Sequence, residues 1–208
     1  MRHHYLFFIG GREFDIRVEP ITYDEIEDPE TRELFADFPR NEGVDPDGVD
    51  IPNHFNVEAH VPETMKYMLK ALQANRAEGD LPMELVKKLY LAVSMTNECT
   101  YCTGVYCTNL GTEVGSEEVV REFQEQLTEG ELTGMEADVI EFAVEFTEDP
   151  HGITDEDFAH LREEYGLTDK DFVQIVFIVN IISGYNRVTT GFDCEHEEVY
   201  HAAGWDGR

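Results

Sequence analysis

The feature that most restricts the fold is a long apolar segment in the last quarter of the chain. Residues 172–182 are apolar except for Gln174 and Asn180. Thr168, followed three residues later by Asp171, has the form of a capping box and predicts that a helix begins there. A helix that is apolar on nearly all sides must lie at the centre of a bundle or at a subunit interface. The run is shorter than the roughly 20 apolar residues of a membrane span, so it predicts a central helix and no membrane association.

Apolar residues at helical spacing recur along most of the remaining chain. A helix from Pro62 to the Gly79-Asp80 pair is predicted, because its apolar residues share one face. Five further helix starts are predicted from prolines or capping residues, at Pro29, Asp80, Ser116, Thr133 and Thr154. Glu136 and Asp157 complete the capping boxes of the last two. These patterns predict an all-α fold, a multi-helix bundle.

The first quarter of the chain has a less regular pattern. We expect residues 1–50 to form an irregular N-terminal arm with one short helix, opened by Asp28-Pro29-Glu30. Residues 5–9 and 14–18 are predicted to pair weakly as a hairpin, and residues 41–50, rich in Gly, Pro and Asp, are predicted to be a loop. Residues 51–208 are predicted to form a single all-α domain.

The charge balance limits the partners and the setting of the protein. The 45 acidic and 15 basic residues give a formal net charge of −30. Phosphate contacts need basic patches and none is seen, so nucleic-acid binding is excluded. An evenly acidic surface suits a high-salt cytoplasm, where salt screens the self-repulsion, although a mimic of nucleic acid or a cation-binding surface has the same composition. No signal peptide is recognised, and a cytoplasmic location predicts cysteines that are reduced, catalytic or metal-bound.

Three of the four cysteines fall in one short segment between two helical patterns. Cys99 and Cys102 form a Cys-x-x-Cys pair, which is used for dithiol–disulfide exchange or as half of a metal site. In a helix the two side chains lie about 60° apart, whereas Cys107 lies about 140° from Cys102 and points elsewhere. Asn97 is a plausible helix end before the pair, which would place both thiols at the start of a new helix. The segment is therefore the predicted active site.

This segment resembles the carboxymuconolactone decarboxylase family, in its alkylhydroperoxidase D-like branch. The resemblance rests on Val-Ser-x-x-Asn-x-Cys-x-Tyr-Cys at residues 93–102, on residues 51–62 before it, and on the order of the helices after it. It extends over roughly residues 15 to 200. It implies an all-α fold of that type, a homo-oligomer between dimer and hexamer, and redox-active cysteines. In that scheme Cys102 attacks a peroxide or disulfide, and Cys99 closes the internal disulfide.

The sequence departs from the family at two positions. Redox-active members have a histidine four residues after the second cysteine and a glutamate twelve residues before the first, and the two form a proton relay. Here these positions hold Tyr106 and Lys87. Neither is a ready base at neutral pH, because their ordinary pKa values lie near 10 and 10.4. We expect Lys87 to lower the pKa of a thiol through its charge and Tyr106 to donate a hydrogen bond to it.

Three classes of function remain open from the residues. The first is a thiol–disulfide or peroxide oxidoreductase without a cofactor, which acts on a small molecule and is re-reduced by a dithiol protein. The second is a small-molecule-binding or lactone-processing protein like the decarboxylases, which would not need the cysteine pair. The third is a metal-binding or structural protein, in which Cys107, Cys194, His196 and His201 could add ligands. Secondary candidates for a pocket are His60, Glu84, Glu98, Asn186 and Arg187.

Overall fold

The computed structural model describes residues 8–9, 12–13, 16–41 and 52–194, of which 8–9, 12–13 and 36–41 are described by their backbone only, and this part is mainly helical. The all-α prediction is confirmed. Two short strands, β1 (Phe8–Ile9) and β2 (Arg12–Glu13), pair antiparallel, and a 3-10 turn spans Tyr23–Glu25. The helices are α1 (Pro29–Asn41), α2 (Asn53–Glu58), α3 (Pro62–Glu78), α4 (Met83–Thr96), α5 (Thr100–Val114), α6 (Glu117–Glu129), α7 (Gly134–Glu148), α8 (Asp155–Tyr165) and α9 (Asp169–Phe192).

The apolar helix α9 lies at the centre of the bundle, as its sequence predicts. Its capping box forms: the Asp171 carboxylate accepts a hydrogen bond from the Thr168 backbone N–H, and the Thr168 hydroxyl accepts one from the Asp171 backbone N–H. The helix packs against α2, α3, α4, α5 and α7. It is long and apolar enough to cross a membrane by length and composition, but just over half of that window is buried in the bundle. Only part of its outer face is apolar and open, at Val173 and Phe177.

Helix α4 forms the second axis of the core, against α5, α7 and α9. Its residues Val86, Leu89, Tyr90, Leu91, Ala92 and Val93 are fully buried. Asn97 ends the helix, as predicted, and Glu98 follows with φ of +53°. Few non-glycine residues adopt this left-handed backbone conformation. The turn places Cys99 at the start of α5.

Two predicted helix starts differ from the structure. Helix α4 begins at Met83 after Pro82, and Asp80 does not cap it; its carboxylate instead accepts a hydrogen bond from Lys170 at 2.8 Å. Thr133 precedes α7, but the capping box with Glu136 does not form. The Glu136 carboxylate binds the ammonium of Lys88 at 2.7 Å, because a buried cation needs a charged partner more than the helix end needs a cap.

The N-terminal arm is held to the bundle by a buried ion-pair cluster. Lys66, on α3, is 3% exposed and binds three carboxylates at 2.6–3.0 Å, those of Asp28, Glu30 and Glu63. Hydrogen bonds and charge from these groups raise the pKa of Lys66, so it stays charged. A hairpin forms, but the predicted second strand is wrong: Phe8–Ile9 pairs with Arg12–Glu13, and the described residues 16–18 of the predicted strand 14–18 are not in a strand. The predicted loop at residues 41–50 lies outside the described residues beyond Asn41.

Candidate active site

Cys99 and Cys102 lie together at the N-terminal end of α5, buried and unpaired by any disulfide. Cys99 is the residue that caps α5, and its Sγ accepts a hydrogen bond from the backbone N–H of Cys102 at 3.3 Å. The side chains are only 1% and 4% exposed. The predicted juxtaposition of the two thiols at a new helix start therefore matches the geometry. A sulfur in the cap position also receives the positive end of the helix dipole.

Thr189, on α9, lies against both sulfur atoms. Its Oγ1 is 3.0 Å from Sγ of Cys99 and 3.4 Å from Sγ of Cys102. The same hydroxyl lies within hydrogen-bond distance of the backbone carbonyls of Tyr185 and Asn186, at 3.0 and 3.2 Å. A hydroxyl has one proton to donate, so it can donate to a thiolate only by giving up a bond to its own helix. Thr189 is thus placed to respond to the charge of the cysteine pair.

The two thiols share one negative charge unequally. The pKa of Cys99 is lowered to about 6, first by a hydrogen bond from the Cys102 thiol and then by the Thr189 hydroxyl and the Cys102 backbone N–H. Burial and the neighbouring Cys99 raise the pKa of Cys102 well above its ordinary value. At neutral pH the pair is therefore a Cys99 thiolate that accepts a hydrogen bond from a Cys102 thiol. Such a thiolate is the reactive form in thiol–disulfide chemistry.

A network of side-chain hydrogen bonds lies next to the Cys99–Cys102 pair. The Asn97 side-chain amide donates to the Ser183 hydroxyl at 3.0 Å and to the side-chain oxygen Oδ1 of Asn186 at 2.9 Å. Asn186 in turn donates to Ser94 at 3.1 Å, and a hydrogen bond from Asn186 offsets a small part of the rise that burial causes in the pKa of Cys102. The network links the end of α4 to α9 and fixes the turn that carries Cys99. Asn186, one of the secondary candidates, therefore belongs to the site, although it does not line the cavity described next.

Cys102 borders a cavity of about 130 Å³ between α2, α3, α5 and α9. Its walls are largely aromatic and aliphatic, and the rings come from Phe55, Tyr101, Tyr106 and Tyr185. The polar lining groups are Thr189, His54, Gln73, Arg76 and Asn109. A cavity of about 150 Å³ accepts a molecule the size of benzene. This cavity therefore has room for one single-ring or short-chain molecule beside the Cys102 sulfur.

Tyr106 lies in this cavity, whereas Lys87 does not. The Tyr106 ring packs against Tyr90 with centroids 5.2 Å apart, and burial raises its pKa well above the ordinary value, so it remains a neutral phenol. The Lys87 ammonium binds the Asn109 carbonyl at 3.1 Å and the Glu113 carboxylate at 2.9 Å, further along α5. The structure brings Cys99, Cys102 and Tyr106 together and leaves Lys87 apart.

His54 and Glu58 are a site feature that the sequence reasoning missed. The Nδ1 atom of His54 is 2.8 Å from Oε1 of Glu58, one turn along α2, and the ring lines the cavity. Their i, i+4 spacing was visible in the sequence, within the segment that resembles the family, but nothing there placed it beside the cysteines. Thr189 had no sequence signal, because it lies about ninety residues from its partners.

The other secondary candidates lie elsewhere. His60 Nε2 meets the Glu19 carbonyl at 2.9 Å, and Glu84 pairs with Lys88 at 2.8 Å. Glu98 is exposed, and Arg187 does not line the cavity. In the described part of the chain no three metal-ligating side chains cluster, and His196 and His201 lie outside it. Burial raises the pKa of Cys107 to about 12, which makes it a poor nucleophile.

Solved structures of other proteins share this fold. An uncharacterised peroxidase-related protein from Ralstonia eutropha JMP134, with an alkylhydroperoxidase AhpD core, matches with a TM-score of 0.77 over 88% of this chain and 93% of its own, at 19% identity. A peroxidase-related protein from Silicibacter sp. TM1040 matches with a TM-score of 0.75 over 92% of this chain and 98% of its own, also at 19% identity.

A third match is a debrominase. Bmp8, solved as a cysteine-to-alanine variant in complex with 2,3,4-tribromopyrrole, gives a TM-score of 0.73 over 92% of this chain and 97% of its own, at 18% identity. No family model matches the sequence, and no curated protein matches it significantly. The likeness is therefore one of fold, and it confirms the alkylhydroperoxidase D-like fold that the sequence resemblance predicted.

Proposed function

We propose that this chain, whose fold is that of the alkylhydroperoxidase D-like proteins, reduces a small molecule with the Cys99–Cys102 dithiol. The observation that carries the proposal is the arrangement of one thiolate and one thiol, hydrogen-bonded to each other and to Thr189, beside a small cavity. A structural cysteine pair has no need of a lowered pKa or of a cavity beside it. The disulfide formed in each cycle would be re-reduced by an external dithiol.

The geometry supports an order of events. Cys102 is the sulfur that borders the cavity, and Cys99 is the sulfur that carries the charge. The Cys102 thiol passes its proton to the Cys99 thiolate and attacks a peroxide oxygen, which breaks the O–O bond and leaves a Cys102 sulfenic acid and an alkoxide, which takes up one further proton to become the alcohol. Cys99 then attacks that sulfur, releases water and closes the disulfide. Overall, the two thiols lose two electrons and the peroxide becomes an alcohol and water.

A second candidate reaction is reductive removal of a halogen from a small aromatic ring. The observation that favours it is the aromatic wall of a single-ring cavity, in a fold shared with a debrominase that binds 2,3,4-tribromopyrrole. The balance is the same: the carbon–halogen bond is replaced by carbon–hydrogen, halide leaves, and the dithiol becomes a disulfide with release of one proton. The small size of the cavity disfavours long-chain substrates for either reaction.

A redox titration tests the shared premise of both reactions. The pure protein in high-salt buffer would be poised between roughly −150 and −350 mV, and each cysteine followed by alkylation and peptide mass mapping. We expect one reversible two-electron transition, confined to Cys99 and Cys102. Cysteines that stay freely reactive and never pair would contradict the proposal. Activity that survives replacement of both cysteines by serine would favour a lactone-processing or binding protein.

Substrate assays then separate the two reactions. Stoichiometric reduced protein would be mixed with tert-butyl hydroperoxide or with a brominated pyrrole or phenol, and disulfide formation followed together with alcohol or bromide release. A peroxide reductase would form disulfide only with the first, and a dehalogenase would release one bromide per disulfide with the second. Cys102→Ser, which removes the cavity-facing sulfur, is expected to abolish both reactions.

A further inference from the structure

We propose that His54, held by Glu58, is the proton donor to the leaving group in the cavity, in place of the relay that this chain lacks at residues 87 and 106. This inference rests on the proposed function, because it needs a reaction at Cys102. Its motivation is geometric: His54, paired with the buried Glu58 carboxylate, lines the same small cavity as the Cys102 sulfur.

The pair is built as an oriented imidazole. His54 and Glu58 are 13% and 7% exposed, and their 2.8 Å contact fixes the proton on Nδ1. The ring is wedged edge-on between Tyr101 and Tyr185, with centroids 5.5 and 5.7 Å away. In the described part of the chain no protein group hydrogen-bonds to Nε2. The second nitrogen is therefore left for a molecule in the cavity.

Two buried polar atoms without partners belong to residues that contact His54. Among the described residues, the Tyr185 hydroxyl and Oε2 of Glu58 are buried and make no hydrogen bond. Burial raises the pKa of Tyr185, and the Glu58 charge adds to the effect, so its hydroxyl stays a donor. A buried donor without a partner is costly unless a ligand or water completes it. A substrate oxygen held by Tyr185 would lie next to the His54 ring, and both residues line the cavity.

Glu58 also borders a second cavity, of about 210 Å³, between α2, α3 and α9. The His54–Glu58 pair thus lies between the two cavities. A proton taken up from the second cavity, on the far side of the pair, would return the imidazole to its protonated form after each transfer. In the peroxide reaction, the doubly protonated form of the ring gives its Nε2 proton to the departing alkoxide as the O–O bond breaks. The proton that Cys99 loses when it attacks leaves with the sulfenic hydroxyl as water, so only a proton from the far side restores the charge of the ring.

The leaving group of the oxidant provides the test. tert-Butyl hydroperoxide expels an alkoxide, which needs a proton, whereas methyl methanethiosulfonate expels a sulfinate, which leaves without one. Both are small enough for a cavity of about 130 Å³. Reduced protein would be mixed with each reagent, and the rate of cysteine oxidation measured by rapid quenching and mass spectrometry. A positioned general acid contributes roughly 100-fold or more, so His54→Gln is expected to slow the hydroperoxide reaction by about that factor.

The thiosulfonate reaction of His54→Gln is expected to stay at the wild-type rate, which also shows that the cysteine pair is folded and intact. Glu58→Gln should show the same selectivity to a smaller degree, and it carries the test if His54→Gln does not fold. The matched control is His160→Gln, because His160 makes the same 2.8 Å carboxylate contact, with Asp138, on the exposed surface. It should leave both rates unchanged.

Three other outcomes overturn the inference. Equal losses on both reagents would mean that His54 acts on the thiols or on the fold. No loss on either reagent would mean that another group delivers the proton. If wild-type protein forms no disulfide with either reagent, the proposed function itself fails, and that result is distinct from the first two.

Discussion

At the scale of the residue, Thr189 controls the chemistry of both sulfurs. Thr189→Val removes a hydroxyl 3.0 and 3.4 Å from the two Sγ atoms at nearly constant volume. Hydrogen bonds to a charged group contribute about 1.5–3 kcal/mol, so the pKa of Cys99 should rise by about one to two units from its value near 6. The measurement is the ultraviolet absorbance of the thiolate against pH, with Cys99→Ser as the blank. Thr189→Ser keeps the hydroxyl and serves as the control; an unchanged midpoint in Thr189→Val would refute the assignment.

The lowered pKa of Cys99 also predicts a pH dependence of stability. Between about pH 6 and the unfolded value near 8.5, the unfolded chain binds one more proton than the folded reduced protein. The free energy of unfolding should therefore rise with pH by about 1.4 kcal/mol per unit across that window, and the gain is lost as the pH falls through 6. Urea unfolding of reduced wild type minus that of Cys99→Ser isolates this contribution. A difference that does not vary between pH 6 and 8.5 would mean that Cys99 is protonated.

The site was predictable from sequence at some residues and not at others. The adjacency of Cys99 and Cys102 follows from helix geometry and from Asn97 as a helix end, both local properties. Thr189 and His54 reach the cysteines only through tertiary packing of α9 and α2, which no local pattern encodes. Lys87 has the expected position in sequence, but nearby acceptors on α5 hold its ammonium. Long-range contacts decided each of these outcomes.

At the scale of the element, helix existence was easier to predict than helix ends. The capping boxes at Thr154 and Thr168 form, and in the described part of the chain no lysine or arginine pairs with their acidic partners. The one at Thr133 fails because the buried ammonium of Lys88 takes the Glu136 carboxylate. Asp80 is likewise drawn to Lys170 on α9. Side-chain partners from distant helices override local caps in a way that sequence spacing does not reveal.

The contact between the end of α3 and α9 gives a test of packing. A Cβ at Gly79 would overlap the end of the Gln174 side chain, whose oxygen accepts a hydrogen bond from the Leu81 N–H. Gly79→Ala should displace Gln174 and leave that buried N–H without a partner, which costs about 1–3 kcal/mol of unfolding free energy. Gly191→Ala, with nothing within 4 Å, is the control and should be neutral or slightly stabilising.

Chemical denaturation of the single and double variants measures the effect of Gly79→Ala. In Gln174→Ala protein the obstructing side chain is already gone, so the additional cost of Gly79→Ala should largely disappear. An equal cost in both backgrounds would show that the backbone conformation at residue 79, and not the contact with Gln174, sets the penalty.

At the scale of the whole molecule, a net charge of −30 should make stability depend on salt. The Debye length falls from about 10 Å at 0.1 M to 3 Å at 1 M, so added salt screens the repulsion of the folded surface. Thermal unfolding in NaCl should show a rising midpoint, by about 2–4 °C for each kcal/mol gained. Neutralising exposed surface acids, by Glu to Gln at positions 122, 125, 163 and 164, should flatten that rise. A midpoint independent of salt would argue against an adaptation to high ionic strength.

The size of the cavity beside Cys102 has a consequence for the kinetics of turnover. A space of about 130 Å³ cannot hold an oxidant and a reducing thiol at once. The oxidising substrate must therefore bind, react and leave before the reducing thiol binds. Between these two half-reactions the protein is in its oxidised form, with the internal disulfide closed. Initial rates measured at several reductant concentrations should then give parallel double-reciprocal lines, the signature of a ping-pong scheme. Intersecting lines would require both molecules to occupy the protein together.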